Sequence, residues 1–87
     1  MHSAHLEDLL TFVRFPSIST LPERKPDVAR CADWLAGKLC TLGLTADIHP
    51  TKGHPIVYGE KMVDAGKPTV LIYGHYDVQP PGPEDLN

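Results

Sequence analysis

The sequence predicts an α/β fold, a mixture of helices and strands in one unit that covers residues 1–87. Two segments of the first half carry apolar residues at helical spacing, and three short stretches of the second half have strand-like patterns. The hydrophobic fraction of 41% and the charged fraction of 22% are ordinary for a globular protein and argue against disorder. A chain of this length makes at most one small domain.

The first predicted helix runs from about Ser3 to Arg14. Its apolar residues fall at positions i, i+3, i+4 and i+7 and form one stripe: Leu6, Leu9, Leu10 and Val13. Ser3 is the predicted N-cap, and Glu7 and Asp8 are expected near the positive end of the helix dipole. The helix ends before Pro16, because the residue that precedes a proline is pushed out of the helical region. A polar surface connection, "SISTLPERKP", is expected next.

A second helix is predicted from about Pro26, with Asp27 accepting a hydrogen bond from a free backbone N–H at its start. Trp34 lies at the margin of its core-facing stripe, which consists of Val28, Cys31, Ala32, Leu35, Leu39 and Leu42. Gly43 is expected to end the helix in the left-handed conformation, with Leu44 folding back on the last turn. Gly37 is a mild liability in the middle of this helix.

Three strands are predicted after the helices. Leu44–His49 alternates apolar and polar residues, residues 55–60 ("PIVYGE") form a short second strand, and Thr69–Tyr73 is a continuous apolar run typical of a strand buried on both faces. Such a strand needs neighbours on both edges. Two helices and two short strands supply only part of that cover, so the sequence predicts an incomplete layer, the front of a larger domain.

Charge and apolar patterning exclude several classes of partner. The net charge is −3 and the eight basic residues are scattered, which argues against nucleic acid. No apolar run approaches the roughly 20 residues that cross a bilayer, so no membrane partner is expected. The opening residues do not resemble a signal peptide. Cys31 and Cys40 are nine residues apart, on roughly opposite helix faces, and are expected to be unpaired, small buried side chains. These observations predict a cytoplasmic protein.

The end of the third predicted strand carries groups suited to metal chemistry. His75 and Asp77 follow it, and residues i and i+2 of an extended segment point the same way. A neutral imidazole is a good zinc ligand, and a nearby carboxylate can hold its other ring N–H. Gly74 is expected to let backbone or ligand approach closely. By itself, the triplet is a weak signal, and it favours a solvated histidine at a capped strand end over a metal ligand.

The longer stretch "VLIYGHYDVQP", residues 70–80, closely resembles the first metal motif of the cocatalytic zinc exopeptidases, the family of aminoacylase, carboxypeptidase G and the carnosinase-type dipeptidases. The opening helix, "FPSIS", the second helix ending in "LGL", and "HPIVYGE" resemble the N-terminal part of that family in the same order. "HYDVQP" is more similar to the dipeptidase branch than to the deacylase branches.

The resemblance implies specific roles. His75 would be a ligand of one zinc, and Asp77 would be the catalytic carboxylate that orients its ring. It also implies two zincs per complete site, a dipeptide or small-peptide substrate, and a fold that is the N-terminal part of a helix-flanked mixed sheet, incomplete as it stands. The bridging aspartate, the general-base glutamate and the later ligands of the family would lie beyond Asn87. The isolated chain is therefore expected to be inactive.

Other acidic and imidazole groups of the chain are expected to be solvated surface residues: His2, His5, His49, His54, Glu84 and Asp85. The alternative to a dipeptidase fragment is a non-catalytic small α/β module that interacts through an unpaired sheet edge. Because the predicted strand and helix stripes lack partners, self-association of the chain is also expected.

Overall fold

The computed structural model describes residues 3–63 and 65–81, apart from the side chain of Ser3. The elements follow one another as helix α1 (Ser3–Arg14), a 3-10 turn (Pro22–Arg24), helix α2 (Lys25–Thr41), strand β1 (Thr45–His49) and strand β2 (Ile56–Glu60). Helices and strands are both present, which confirms the α/β prediction. No helix in the described ranges is long and apolar enough to cross a membrane.

Helix α1 has its predicted bounds, but its apolar stripe lies at the surface, with side chains between 41% and 57% exposed. The helix is attached to α2 by Phe12, whose ring stacks on Trp34 at 5.7 Å, and by an ion pair of 2.6 Å between Asp8 and Lys38. The first turn contains no acidic residue, so the predicted dipole role of Glu7 and Asp8 is wrong. The predicted Ser3 cap lies outside the described side chains.

The start of α2 differs from the prediction at Asp27. The 3-10 turn leads directly into the helix, so α2 begins at Lys25 and Asp27 already lies in its first turn. Its buried carboxylate caps no backbone N–H. It accepts hydrogen bonds from Arg24, at 3.3 Å, and from Arg30. The predicted capping bond is therefore replaced by two ion pairs within one turn of helix.

The core lies on one face of α2. Val28, Cys31 and Ala32 are buried there together with Ile18, which the sequence placed in a surface connection. The later residues of the predicted stripe are half-buried or exposed, and Leu42 is 60% exposed. Both cysteines are free; Cys31 is buried as expected, whereas Cys40 is exposed. The nine-residue separation explains the difference, because it turns Cys40 away from the buried face.

The end of α2 confirms the predicted role of Gly43. Gly43 has φ +92°, which side chains rarely adopt, and its N–H donates to the Cys40 carbonyl at 3.0 Å. The next N–H, that of Leu44, donates to the Leu39 carbonyl at 3.0 Å. These two bonds form a Schellman motif, which satisfies carbonyls that the helix end leaves open.

Gly37 and Gly43 should respond in opposite ways to alanine. A Cβ on Gly37 would meet no atom within 4 Å, so Gly37→Ala is expected to raise the free energy of unfolding by about 0.5–1 kcal/mol. Gly43→Ala should lower it, because alanine is strained at positive φ. Urea unfolding followed by circular dichroism measures both. A destabilising Gly37→Ala would contradict the described packing of α2.

Strands β1 and β2 form an antiparallel hairpin, in register from Thr45 opposite Glu60 to His49 opposite Ile56. Each strand is one residue shorter at its start than predicted. The hairpin packs on α2 at Gly59, where an added Cβ would lie 3.0 Å from the Leu39 side chain. Glycine is thus the residue that permits the close approach of β2 to the helix.

The third predicted strand, Thr69–Tyr73, is wrong for the described structure. The segment has no strand hydrogen bonding, and its side chains from Val70 to Tyr73 are between 79% and 91% exposed. A strand requires a neighbour that pairs with its backbone, and neither described strand pairs with this segment. Its apolar side chains would be stabilised by burial, but the other described residues do not cover them. Gly74 likewise has no atom within 4 Å of an added Cβ, so nothing described requires a glycine there.

Candidate metal site around His75 and Asp77

His75 and Asp77 contact each other as the sequence suggested. Nδ1 of His75 lies 2.9 Å from Oδ1 of Asp77. Because an ionised carboxylate can only accept, Nδ1 carries a proton in this bond, and in the neutral form of the ring Nε2 has the free lone pair. The His75 side chain is 75% exposed and that of Asp77 43% exposed, so Nε2 belongs to a ring that is open to solvent.

A segment far away in the sequence holds this pair. Residues 17–19 run parallel to residues 76–78, with a bridge between Ile18 and Val78 and a bond of 3.0 Å from the Val78 N–H to the Ser17 carbonyl. The buried Ser17 hydroxyl donates to the Tyr76 carbonyl at 2.8 Å. The Ser19 hydroxyl donates to Oδ2 of Asp77 at 2.6 Å. Sequence reasoning assigned residues 17–19 to a surface connection, which is wrong, since Ser17 and Ile18 are buried.

Tyr76, between the two site residues, is anchored on both sides. Its hydroxyl donates to the Pro55 carbonyl at 2.5 Å, and its own carbonyl lies 3.9 Å from the Cys31 sulfur. Burial raises the pKa of the Tyr76 hydroxyl, and it also raises the pKa of the Cys31 thiol. Both groups are therefore neutral at physiological pH and act here as hydrogen-bonding and packing groups.

Asp77 is kept ionised by its surroundings. The hydrogen bond from Ser19 is the largest influence and lowers the pKa of the Asp77 carboxyl; the bond from His75 acts the same way, and partial burial opposes both. The carboxylate is thus charged at neutral pH with both oxygens engaged, one on Ser19 and one on His75. A carboxylate is one of the acceptors that hold the second ring N–H of a metal-bound histidine.

A half-open cavity of about 560 Å³ adjoins the pair. Its polar lining includes Ser19, His54, His75, Tyr76 and Asp77, and its apolar lining comes from α2, β2 and the segment that precedes Gly74. A mostly apolar cavity with a few polar groups on one side is the usual form of a small-molecule site. The cavity therefore places a space for a small ligand directly against His75 and Asp77.

The chain is similar in sequence to known dipeptidases. The chain is 38% identical over 89 aligned residues to a Cys-Gly metallodipeptidase of Candida albicans. This alignment covers 86% of the chain. It is 36% identical to a Cys-Gly metallodipeptidase of Schizosaccharomyces pombe and 33% identical to a cysteinylglycine-S-conjugate dipeptidase of Corynebacterium striatum, covering 84% and 85% of the chain.

The chain belongs to the metallodipeptidase family, which confirms the predicted resemblance at that level. The chain spans only 16% to 18% of the length of these three relatives. No family model and no solved structure matches it.

The relation to metallodipeptidases implies a metal, and His75 fits as one ligand. Asp77 occupies Nδ1, and Nε2 is the nitrogen left for coordination. Within residues 3–63 and 65–81, however, no group of three or more His, Cys, Asp or Glu side chains could hold a metal ion. A catalytic zinc usually has three protein ligands. The described residues therefore offer one imidazole nitrogen beside a carboxylate, and no complete set of metal ligands.

The other histidines differ in their surroundings. His49 is exposed and lies edge-on to Tyr58 at 6.3 Å, and His5 is exposed, both as expected for surface residues. The prediction for His54 is wrong. Its ring is half-buried, with Nε2 at 2.8 Å from the Ser19 carbonyl and Nδ1 buried without a hydrogen-bond partner. No spacing in the sequence indicated that His54 joins Ser19. His2, Glu84 and Asp85 lie outside the described residues.

Proposed function

We propose that the chain is part of a zinc-dependent dipeptidase in which His75 is a ligand of one ion of a two-zinc site and Asp77 is the catalytic carboxylate that orients its ring. The 2.9 Å contact between Nδ1 of His75 and Asp77 is the observation that carries the proposal, because it leaves Nε2 for the metal. The names of the relatives support dipeptides as the substrate class.

The residues of this chain have defined tasks in that reaction. Asp77 accepts a hydrogen bond from Nδ1–H, which fixes the tautomer of His75 and raises the basicity of Nε2. The cavity beside the pair receives the substrate, and its apolar lining keeps part of the bound dipeptide away from water. Zinc pairs in hydrolytic enzymes lower the pKa of water and polarise carbonyl groups, which is the chemistry that amide hydrolysis needs.

The proposal includes the extent of the protein. The chain spans less than a fifth of the length of its relatives, and its described residues include no group of three or more side chains that could hold a metal ion. We therefore assign residues 1–87 to the N-terminal portion of a catalytic domain whose remaining ligands and general base come from elsewhere in the protein. The proposal also places the chain in the carnosinase-type dipeptidase branch of the family. It further assigns the protein to the cytoplasm.

An assay on two proteins tests the function. The product of the complete open reading frame that contains these 87 codons should hydrolyse Cys-Gly, lose activity after dialysis against a chelator, and regain it with zinc. The 87-residue chain alone should bind zinc weakly and hydrolyse no dipeptide, because zinc affinity depends on ligand number and pre-organisation.

Two outcomes would overturn the proposal. Activity that survives complete removal of metal would exclude the metal mechanism. If the protein encoded by the complete reading frame binds no zinc and hydrolyses no dipeptide, the result would favour a non-catalytic module.

A further inference from the structure

Ser19 lies between two histidines and bonds to both sides. Its hydroxyl donates to Oδ2 of Asp77 at 2.6 Å, and the other oxygen of Asp77 accepts from Nδ1 of His75 at 2.9 Å. Its backbone carbonyl lies 2.8 Å from Nε2 of His54. One serine thus joins the half-buried ring of His54 to the exposed pair through three consecutive hydrogen bonds.

The acceptors in this series fix where the protons lie. A carbonyl oxygen only accepts, so Nε2 of His54 carries a hydrogen and donates to Ser19. This orientation leaves Nδ1 of His54 buried without a partner. Leaving a buried polar atom unpaired costs free energy. The bond from Nε2 to the Ser19 carbonyl is the contact that holds the ring in this orientation despite that cost.

Ser19 supplies a constraint on the Asp77 carboxylate in addition to the contacts between His75 and Asp77, in which Nδ1 of His75 also lies 3.2 Å from the Asp77 backbone carbonyl. Both side chains are substantially exposed, and the terminal torsion of an aspartate has a broad rotational preference. The bond from Ser19 to Oδ2 fixes the carboxylate plane and directs Oδ1 toward Nδ1 of His75. Ser19 is itself held from both directions, by His54 and by the neighbouring bridge between Ile18 and Val78.

We propose that Ser19 is a positioning residue that selects the Nδ1–H tautomer of His75 through Asp77, and that His54 anchors Ser19 in this role. This inference rests on the proposed function in one respect: the Nδ1–H tautomer is useful because it presents Nε2 of His75 to a metal. The geometry that it requires is present without a metal. It extends the site to two residues of the cavity lining that act on His75 through Asp77.

The test measures the tautomer of His75 directly, in metal-free protein labelled with ¹⁵N-histidine, by long-range ¹H–¹⁵N correlation at neutral pH. The His75 signals are assigned by their loss in His75→Ala. Wild-type protein should show the Nδ1–H form of His75. Ser19→Ala should give a mixture of the two tautomers, and Ser19→Thr, which keeps a hydroxyl, should restore the wild-type form. Thr41→Ala removes a hydroxyl bonded to the Gly37 carbonyl of α2 and serves as the matched control.

A second variant covers the case in which Ser19→Ala fails to fold. His54→Phe keeps a ring of similar size but removes the donor to the Ser19 carbonyl, so it should also produce a mixture of tautomers. An unchanged Nδ1–H form in folded Ser19→Ala, or in folded His54→Phe where Ser19→Ala does not fold, would overturn the proposal.

Zinc titration separates this proposal from the proposed function. In the product of the complete reading frame, Ser19→Ala should weaken zinc binding about tenfold, and Ser19→Thr should bind as wild type does. Tautomer selection without zinc binding would overturn the metal function and leave the positioning role standing. Zinc binding with equal affinity and equal tautomer in wild type and Ser19→Ala would overturn the positioning role alone.

Discussion

Replacing His75 with alanine is expected to lower the rate of dipeptide hydrolysis by the product of the complete reading frame more than about 100-fold. Loss of a residue that only supports a ligand typically costs 10- to 100-fold, and loss of the ligand itself should exceed that. Zinc content, measured after gel filtration, should fall with the rate. The matched control is His49→Ala, because His49 is an exposed histidine at the end of β1 whose aromatic contact among the described residues is with Tyr58.

Asp77→Asn completes this series and should give an intermediate result, a loss of about 10- to 100-fold. The amide oxygen can still accept from Nδ1 of His75, but the charge that raises the basicity of the ring is gone. An active, zinc-loaded His75→Ala protein would remove His75 from the metal site. A loss of activity in His49→Ala equal to that in His75→Ala would show that the effect is not specific to the site.

Substituting the exposed apolar segment is expected to change the association state of the 87-residue chain. Wild-type chain should self-associate, because four consecutive apolar side chains from Val70 to Tyr73 are at least 79% exposed. The double variant Val70→Lys with Leu71→Lys should be monomeric. It leaves unchanged Ile72 and Tyr73, which line the cavity. Sedimentation velocity over a series of concentrations measures the difference.

Leu42→Lys is the control for this experiment, since it places the same charge on an isolated leucine that is 60% exposed at the end of α2. It should associate as wild type does. A wild-type chain that is monomeric throughout and melts cooperatively above about 65 °C would contradict the prediction, because such a chain has no unsatisfied apolar segment.

Local patterns predicted the elements that depend on local contacts. The bounds of α1, the Schellman motif at Gly43 and the two strands of the hairpin follow from periodicity and turn chemistry. The strand at Thr69–Tyr73 did not form in the described structure, because a strand depends on a partner that lies elsewhere. A run of β-branched and apolar residues carries no information about whether that partner is present.

The candidate site also has one part that the sequence predicted and one part that it did not. His75 and Asp77 could be paired from their spacing alone, because two residues in an extended segment share a side. Ser19 and His54 could not, since they reach the site from 58 positions before Asp77 and from the loop before β2. Their contributions come from a carbonyl, a hydroxyl and a ring brought together by tertiary contacts. No periodicity or motif encodes such an encounter.

The parallel contact between residues 17–19 and 76–78 also bears on how the chain folds. The side-chain hydrogen bonds of this contact join residues 58 and 59 positions apart, whereas the helices and the hairpin close over a few residues. Closing so long a loop costs chain entropy before any contact is gained. The contact between the two stretches is therefore expected to form after the helices and the hairpin, and amide exchange at Val78, whose N–H bonds to the Ser17 carbonyl, would report on its opening. A metal ion held there would slow that exchange, because it binds only when the two stretches are joined.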